Sequence, residues 1–219
     1  MTTRQPARQR PQAPHNKPWW LWAGIVGIVA IALGIAVWST SGANKNTAAS
    51  VGETRPVTVV GTALPALPES GADTAIGLTP PTLHGSTFDG SPIDIIPGGG
   101  RAKMVVFLAH WCPHCNNEIP VILRWASTGG LPANLDIIGV STAANVQRAN
   151  YPPSKWIVAK KWTWPVLADS SNADAAAAYG VTGFPTFTIV GPDGLVKVRS
   201  SGELAETELD GLVAKALAG

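Results

Sequence analysis

Cysteine is scarce: the 219-residue chain has two, Cys112 and Cys115, and no others. A disulfide-stapled scaffold is thereby excluded. A four-cysteine zinc site is excluded too, because no second Cys-x-x-Cys exists. No cysteine is available for lipoprotein attachment. Acidic residues are missing from the amino-terminal region. None precedes the apolar stretch Trp19 to Trp38, and that stretch has no charged side chain at all. Internal repeats are absent. The formal net charge of +2 conceals an asymmetry: four of the sixteen basic residues (Arg4, Arg8, Arg10 and Lys17) precede the stretch, while all fourteen acidic ones follow it. The part that follows the stretch is therefore slightly acidic, which argues against a nucleic-acid partner and asks for no special charge on any other.

Twenty uncharged residues form about 30 Å of helix, the thickness of one bilayer core. Trp19, Trp20 and Trp22 at one end and Trp38 at the other bracket it as interfacial aromatics do. The basic residues before it place the amino terminus in the cytoplasm and the rest outside. A cleaved signal peptide is the competing reading, but its apolar region runs only about 7–15 residues. Ser41-Gly42-Ala43 is a poor cleavage site. The expected organisation is a cytoplasmic basic tail over 1–18, a transmembrane helix over 19–38, a linker over 39–74 with a short strand near Val57 to Val60, and a folded domain over 75–219. The polar part of that linker, Ser39 to Pro56, spans roughly 25 Å as a random coil.

Trp111-Cys112-Pro113-His114-Cys115 carries the chemistry. Cysteines three apart share a helix face, within the Cα separation of about 5.5 Å that a disulfide tolerates. So small a loop constrains the unfolded chain little, so the pair suits reversible exchange better than stapling. Lys103 to Ala109 is an apolar run suited to a strand buried on both faces. Asn116 to Ser127 has the apolar spacing of a helix, with Ile119, Ile122, Leu123 and Ala126 on one side. The cysteines then lie at a strand-to-helix junction, where the helix N-terminus favours a thiolate. Cys112 is expected as the exposed nucleophile and Cys115 as the shielded resolving thiol.

Here the chain resembles the thioredoxin-like superfamily. The resemblance rests on the strand, WCxxC and helix order, on Pro120 within that helix, and on Gly183-Phe184-Pro185-Thr186, which is similar to the family's cis-proline loop. Cys115-Asn116-Asn117-Glu118-Ile119-Pro120 is similar to the CxxE-x-P run of membrane-anchored TlpA/ResA-type thioredoxins, whereas the CPHC dipeptide, Pro113-His114, resembles that of DsbA. The buried aspartate of thioredoxin is replaced by Val106. The resemblance implies an α/β thioredoxin-like fold, a central mixed β-sheet flanked by helices, here with an amino-terminal transmembrane helix. It further implies that Phe184 and Pro185 bind substrate backbone, with Trp111 an exposed lip of the same groove.

The rest of the pattern agrees with such a fold. Leu83 to Ile96 reads as a hairpin turning at Asp89-Gly90, and Leu135 to Ser141 as a buried strand. Val166 to Ala168 forms a short strand, and Asn172 to Tyr179 a helix stopped by Gly180. Strands 186–190 and 195–200 flank a turn at Pro192-Asp193-Gly194, and 203–217 is the closing helix. Trp125, Trp156, Trp162 and Trp164 are expected in packing.

Glu118 shares a helix face with Cys115 and is expected to move its proton, against the alternative of a solvated charge. Pro113 and His114 are expected to tune the pair, a cationic His114 adding positive potential. His110 reads as structural or solvated, and His84 and His15 carry no function. The expected activity is thiol–disulfide exchange on cysteines of secreted or membrane proteins, fed by a separate redox partner, at the extracytoplasmic face of the cell membrane. No cofactor and no metal are expected beyond the Cys112–Cys115 disulfide. Stabilisation of the reduced pair leans the direction toward an oxidase or isomerase. The alternatives are a TlpA/ResA-like reductase and a copper- or zinc-handling module.

Overall fold

The computed structural model describes residues 52–218. The tail over 1–18, the apolar segment over 19–38 and the linker to residue 51 lie outside the described residues. Among the described residues no helix is long and apolar enough to cross a membrane.

The centre is β4 (Ala102–Leu108), whose seven residues alternate between two cores. Met104, Val106 and Leu108 face one core, and Val105 and Phe107 face the other. That explains the unbroken apolar run: neither face meets water. Around it stands one mixed sheet, with β1 (Thr58–Val60), β2 (Thr82–Ser86), β3 (Pro92–Ile95), β5 (Leu135–Ser141), β6 (Val166–Ala168), β7 (Thr186–Val190) and β8 (Val196–Ser201). The order is β1-β2-β6-β5-β4-β7-β8, with β3 on the other side of β2. Strands β4, β5 and β6 run parallel, while β7 and β8 return antiparallel.

Helices α1 (Pro113–Ser127) and α4 (Glu206–Leu217) cover the first core, where Ile119, Ile122 and Trp125 meet Leu209 and Val213. Trp125 Nε1 donates to Asp210 at 2.6 Å, fixing one helix to the other. Helix α2 (Pro153–Ala159) adds Trp156 and Ile157 to this core. Helix α3 (Asp174–Ala178) lies on the second core with Tyr179. Trp125 and Trp156 are buried, and Trp162 and Trp164 pack half-buried against each other.

The expected boundary at residue 75 is corrected by the structure. The described part of the linker, 52–74, is bound to the domain rather than free of it. β1 pairs with β2, and Leu64 and Leu67 are buried and donate to the carbonyls of Ala178 and Gly180. Asp73 accepts from the buried Arg199 at 2.5 and 2.9 Å. Glu53 accepts from the backbone N–H and the hydroxyl of Ser154 at 2.9 and 2.7 Å, capping α2 from a distance. The segment reads as a linker in the sequence because its partners lie far away along the chain.

Candidate active site

The dithiol sits where β4 hands over to α1. Cys112 is the N-cap residue, and its carbonyl receives the N–H of Asn116 at 3.2 Å. Pro113 occupies the first helical position, where a missing N–H costs nothing. Cys115 lies one turn in, fully buried, with its Sγ accepting the N–H of Ala109 at 3.4 Å. Burial pushes the Cys115 thiol well above the ordinary cysteine value, and the nearby Cys112 and Glu118 add to that rise.

Cys112 differs from expectation: its exposure is only 6%. The cover comes from the loop before β7, whose Phe184 carbonyl accepts the Cys112 S–H at 3.4 Å. The Phe184–Pro185 bond is cis, as the resemblance implies. Trp111 is a half-buried wall rather than an exposed lip. Its ring meets Phe184 edge-on at 6.0 Å, its Nε1 donates to Ala143 O at 2.8 Å, and the Arg148 guanidinium lies over it at 4.8 Å.

Glu118 is completely buried, so it is no solvated charge. Its Oε2 accepts the N–H of Leu204 at 2.9 Å, and its Oε1 is buried without a hydrogen-bond partner among the described residues. Burial raises its pKa from 4.5 to about 7, with Glu203 and Glu208 adding to the effect and the Leu204 N–H opposing it. A carboxyl group so poised, one turn beyond Cys115, is matched to proton transfer near neutral pH.

His114 and Pro113 are exposed at the rim. His114 Nδ1 lies 2.6 Å from Glu203, which also accepts from Asn117. The His114 contact, then the Asn117 one, holds Glu203 below the usual carboxylate range. A carboxylate this close offsets the field that a cationic His114 sends to Cys112.

Asn116 gains a role that the sequence did not signal, and His110 takes the structural one of its two expected readings, with partners that the sequence did not name. Asn116 binds the carbonyls of His110 and Cys112 through Nδ2 and accepts from Trp156 through Oδ1. Its own carbonyl, deprived of an i+4 partner by Pro120, receives Lys160 Nζ at 3.1 Å. His110 is fully buried, with both ring nitrogens bonded to backbone. Neither role shows in any local spacing. Among the described residues no group of three or more His, Cys, Asp or Glu side chains is placed to hold a metal ion.

Fold and paired thiols together define a thioredoxin-like thiol–disulfide oxidoreductase. The chain belongs to the AhpC/TSA family, whose model matches residues 73–199. Among curated proteins it is 28% identical over 147 residues to the soluble secreted antigen MPT53 of Mycobacterium tuberculosis, covering 65% of this chain and 76% of the relative. Among solved structures it is similar in fold to a DsbF homologue from Corynebacterium diphtheriae, with TM-score 0.57 and 13% identity over 70% of this chain and 99% of that one. StoA from Bacillus subtilis matches with TM-score 0.51 and 21% identity, over 61% of this chain and 97% of that one. The thioredoxin domain of a thiol-disulfide oxidoreductase from Bacteroides vulgatus gives TM-score 0.51 and 24% identity, over 67% and 98%.

Proposed function

We propose that this protein is a membrane-anchored, extracytoplasmic thiol–disulfide oxidoreductase of the TlpA/ResA type. Its substrates are cysteines of secreted or membrane proteins, and a separate redox partner resets its dithiol. One observation carries the reading: Cys112 Sγ at the helix start faces the Phe184 carbonyl beside cis Pro185, with Cys115 directly behind. The uncharged segment 19–38 and the basic residues before it support the anchor and its orientation.

In the reducing direction the Cys112 thiolate attacks a substrate disulfide. That S–S bond breaks, a Cys112–substrate disulfide forms, and the leaving sulfur takes up a proton. Cys115 then gives its proton to Glu118 and attacks the Cys112 sulfur. The second substrate sulfur departs as a thiolate and takes up a proton, returned by Glu118 through solvent, so the substrate leaves as a dithiol and Cys112–Cys115 becomes a disulfide. Two electrons and two protons pass to the substrate. Oxidation runs the same steps backward.

The lean toward an oxidase draws on the helix start and on positive potential from His114, both acting on a reduced Cys112. Glu203 pairs with His114 and weakens the second of these. Burial, with Cys112 and Glu118 beside it, disfavours negative charge on Cys115. Both features favour the reductase over the oxidase. No cofactor enters beyond the cysteine pair, and the metal-handling alternative lacks a converging donor set among the described residues.

Trapping tests this. Cys115→Ser should accumulate a mixed disulfide between Cys112 and substrate, and Cys112→Ser should accumulate none. Equal trapping by both variants would sink the assignment of roles.

A further inference from the structure

His110 stands two residues before Cys112 and exposes none of its surface. Its Nδ1 lies 2.7 Å from Ala149 O, and its Nε2 lies 3.1 Å from Asn145 N. A carbonyl only accepts and a backbone N–H only donates, so the proton sits on Nδ1 and the lone pair on Nε2. The geometry admits one neutral tautomer. The backbone carbonyl of His110 accepts from Asn116 and Asn150 at 3.3 and 3.0 Å, and Tyr151 meets the ring edge-on at 5.8 Å.

The segment 143–151 held in this way supports the wall beside the nucleophile. It provides the Ala143 carbonyl for Trp111 Nε1 and the Arg148 guanidinium over the Trp111 ring. Trp111 in turn packs on Phe184, whose carbonyl faces Cys112. The same segment exposes Val146 by 70% and Tyr151 by 41%.

We propose that His110 is a positioning residue for thiol exchange: its neutral ring latches segment 143–151, and that segment sets the Trp111–Phe184 wall past which a substrate polypeptide reaches Cys112. The proposal rests on the thiol–disulfide reading above. A proton on Nε2 would point at the N–H of Asn145 and open the latch. Burial pushes the His110 pKa below the usual value, while the Ala149 carbonyl and Glu53 oppose that. The titratable groups set against the ring are Glu53 from the amino-terminal segment and Tyr151 from the latched one, while Arg148 lies over the neighbouring Trp111 ring and Cys112 follows two residues on. Lys160, just past α2, joins the network through Asn116 O.

The test uses the full-length protein and a cysteine-bridged peptide as probe. Long-range proton–nitrogen spectra should show His110 as the Nδ1–H tautomer. His110→Ala should raise KM for the peptide disulfide about tenfold, the equivalent of losing a ~1.4 kcal/mol backbone hydrogen bond, with kcat nearly unchanged. His110→Asn keeps the donor toward Ala149 O and should recover part of that loss. Wild-type KM should climb as pH falls through the lowered His110 pKa, and the Asn variant should lack this rise. An Nε2–H tautomer, or an unchanged KM in both variants, overturns the proposal. If the wild type exchanges no disulfide, the functional reading fails instead. Hydrogen exchange at the Asn145 amide, about tenfold faster in the Asn variant because the acceptor is lost, then decides the latch alone. Unaltered exchange there overturns it.

Discussion

Glu118 Oε2 accepts the backbone N–H of Leu204 at 2.9 Å, binding the carboxyl group behind the dithiol to the segment that leads into α4. The side chain is thus held in place while its other oxygen stays unpaired. Burial favours a protonated group despite the Leu204 N–H, and a pH signature follows. A carboxyl whose folded-state pKa is raised binds its proton more tightly in the native state than in the unfolded chain. On this account stability is highest below pH 4.5 and falls as pH rises toward about 7. The loss amounts to at most about 3 kcal/mol. Gln at 118 still accepts from Leu204 but does not ionise. Urea unfolding of wild type and Glu118→Gln across this range should therefore diverge, the variant keeping stability that the wild type loses. Parallel curves would refute the buried, titrating carboxyl.

The same carboxyl predicts kinetics. Single-turnover release of a substrate thiol from the Cys112 mixed disulfide should accelerate as pH rises through about 7, when Glu118 becomes a base. In Glu118→Gln this step should slow roughly 10²-fold, within the usual span for a general base, and lose the pH dependence. A variant with wild-type kinetics would leave Glu118 a packing residue.

Releasing His114 from Glu203 should alter the redox couple. Glu203→Gln removes the offsetting negative charge and should shift the potential in the oxidising direction. His114→Ala leaves Glu203 uncompensated and should shift it in the reducing direction. Both changes should stay well short of the roughly 150 mV that separates thioredoxin from DsbA, since the pair is solvent-exposed. Equilibration with glutathione, trapping and mass measurement would show it. The wild-type value is expected between those of thioredoxin and DsbA, nearer the thioredoxin end. A value near that of DsbA would restore the oxidase reading.

Arg199 and Asp73 form a buried pair whose Arg side chain is 0% exposed, and Arg199 also donates to the carbonyls of Pro65 and Tyr179. Asp73→Leu leaves the cation uncompensated and should destabilise the domain by about 3–5 kcal/mol. Denaturant titration measures that. Limited proteolysis should cut the variant between residues 61 and 72. The Arg199 bond, the largest influence, and the Ala75 N–H lower the Asp73 pKa against burial. Its contribution is therefore present above pH 3.8 and is lost as pH falls through the lowered value.

Topology is open to direct measurement. A reporter fused after Gly219 should be active only if it functions outside the cytoplasm, and the chain should fractionate with membranes. Activity of a strictly cytoplasmic reporter would reverse the orientation.

Much of the site was legible because its signals are local. The apolar run of β4, the paired cysteines, Gly183 to Thr186 and the spacing of Glu118 from Cys115 all lie within short windows. The same holds for the buried strand β5 and for α4, whose start differs by three residues from the expected one. What escaped depends on contacts between distant segments. The cover on Cys112 comes from a carbonyl 72 residues later. The neutral state of His110 is imposed by backbone groups 35 and 39 residues on, which have no side-chain signature. The packing of 52–74 needs Ala178, Gly180 and Arg199, none of which marks the segment locally.

Glu53 joins the amino-terminal segment to the first turn of α2, while Gly52 and Arg55 both donate to the Phe88 carbonyl and the Arg55 N–H to that of Asp169. A mechanical load arriving along the chain from its amino-terminal side is therefore met at residues 52–55. These bonds lie between that load and the helix start that carries the thiols. In the membrane-anchored protein proposed above, this fastening would act as strain relief for the reactive pair.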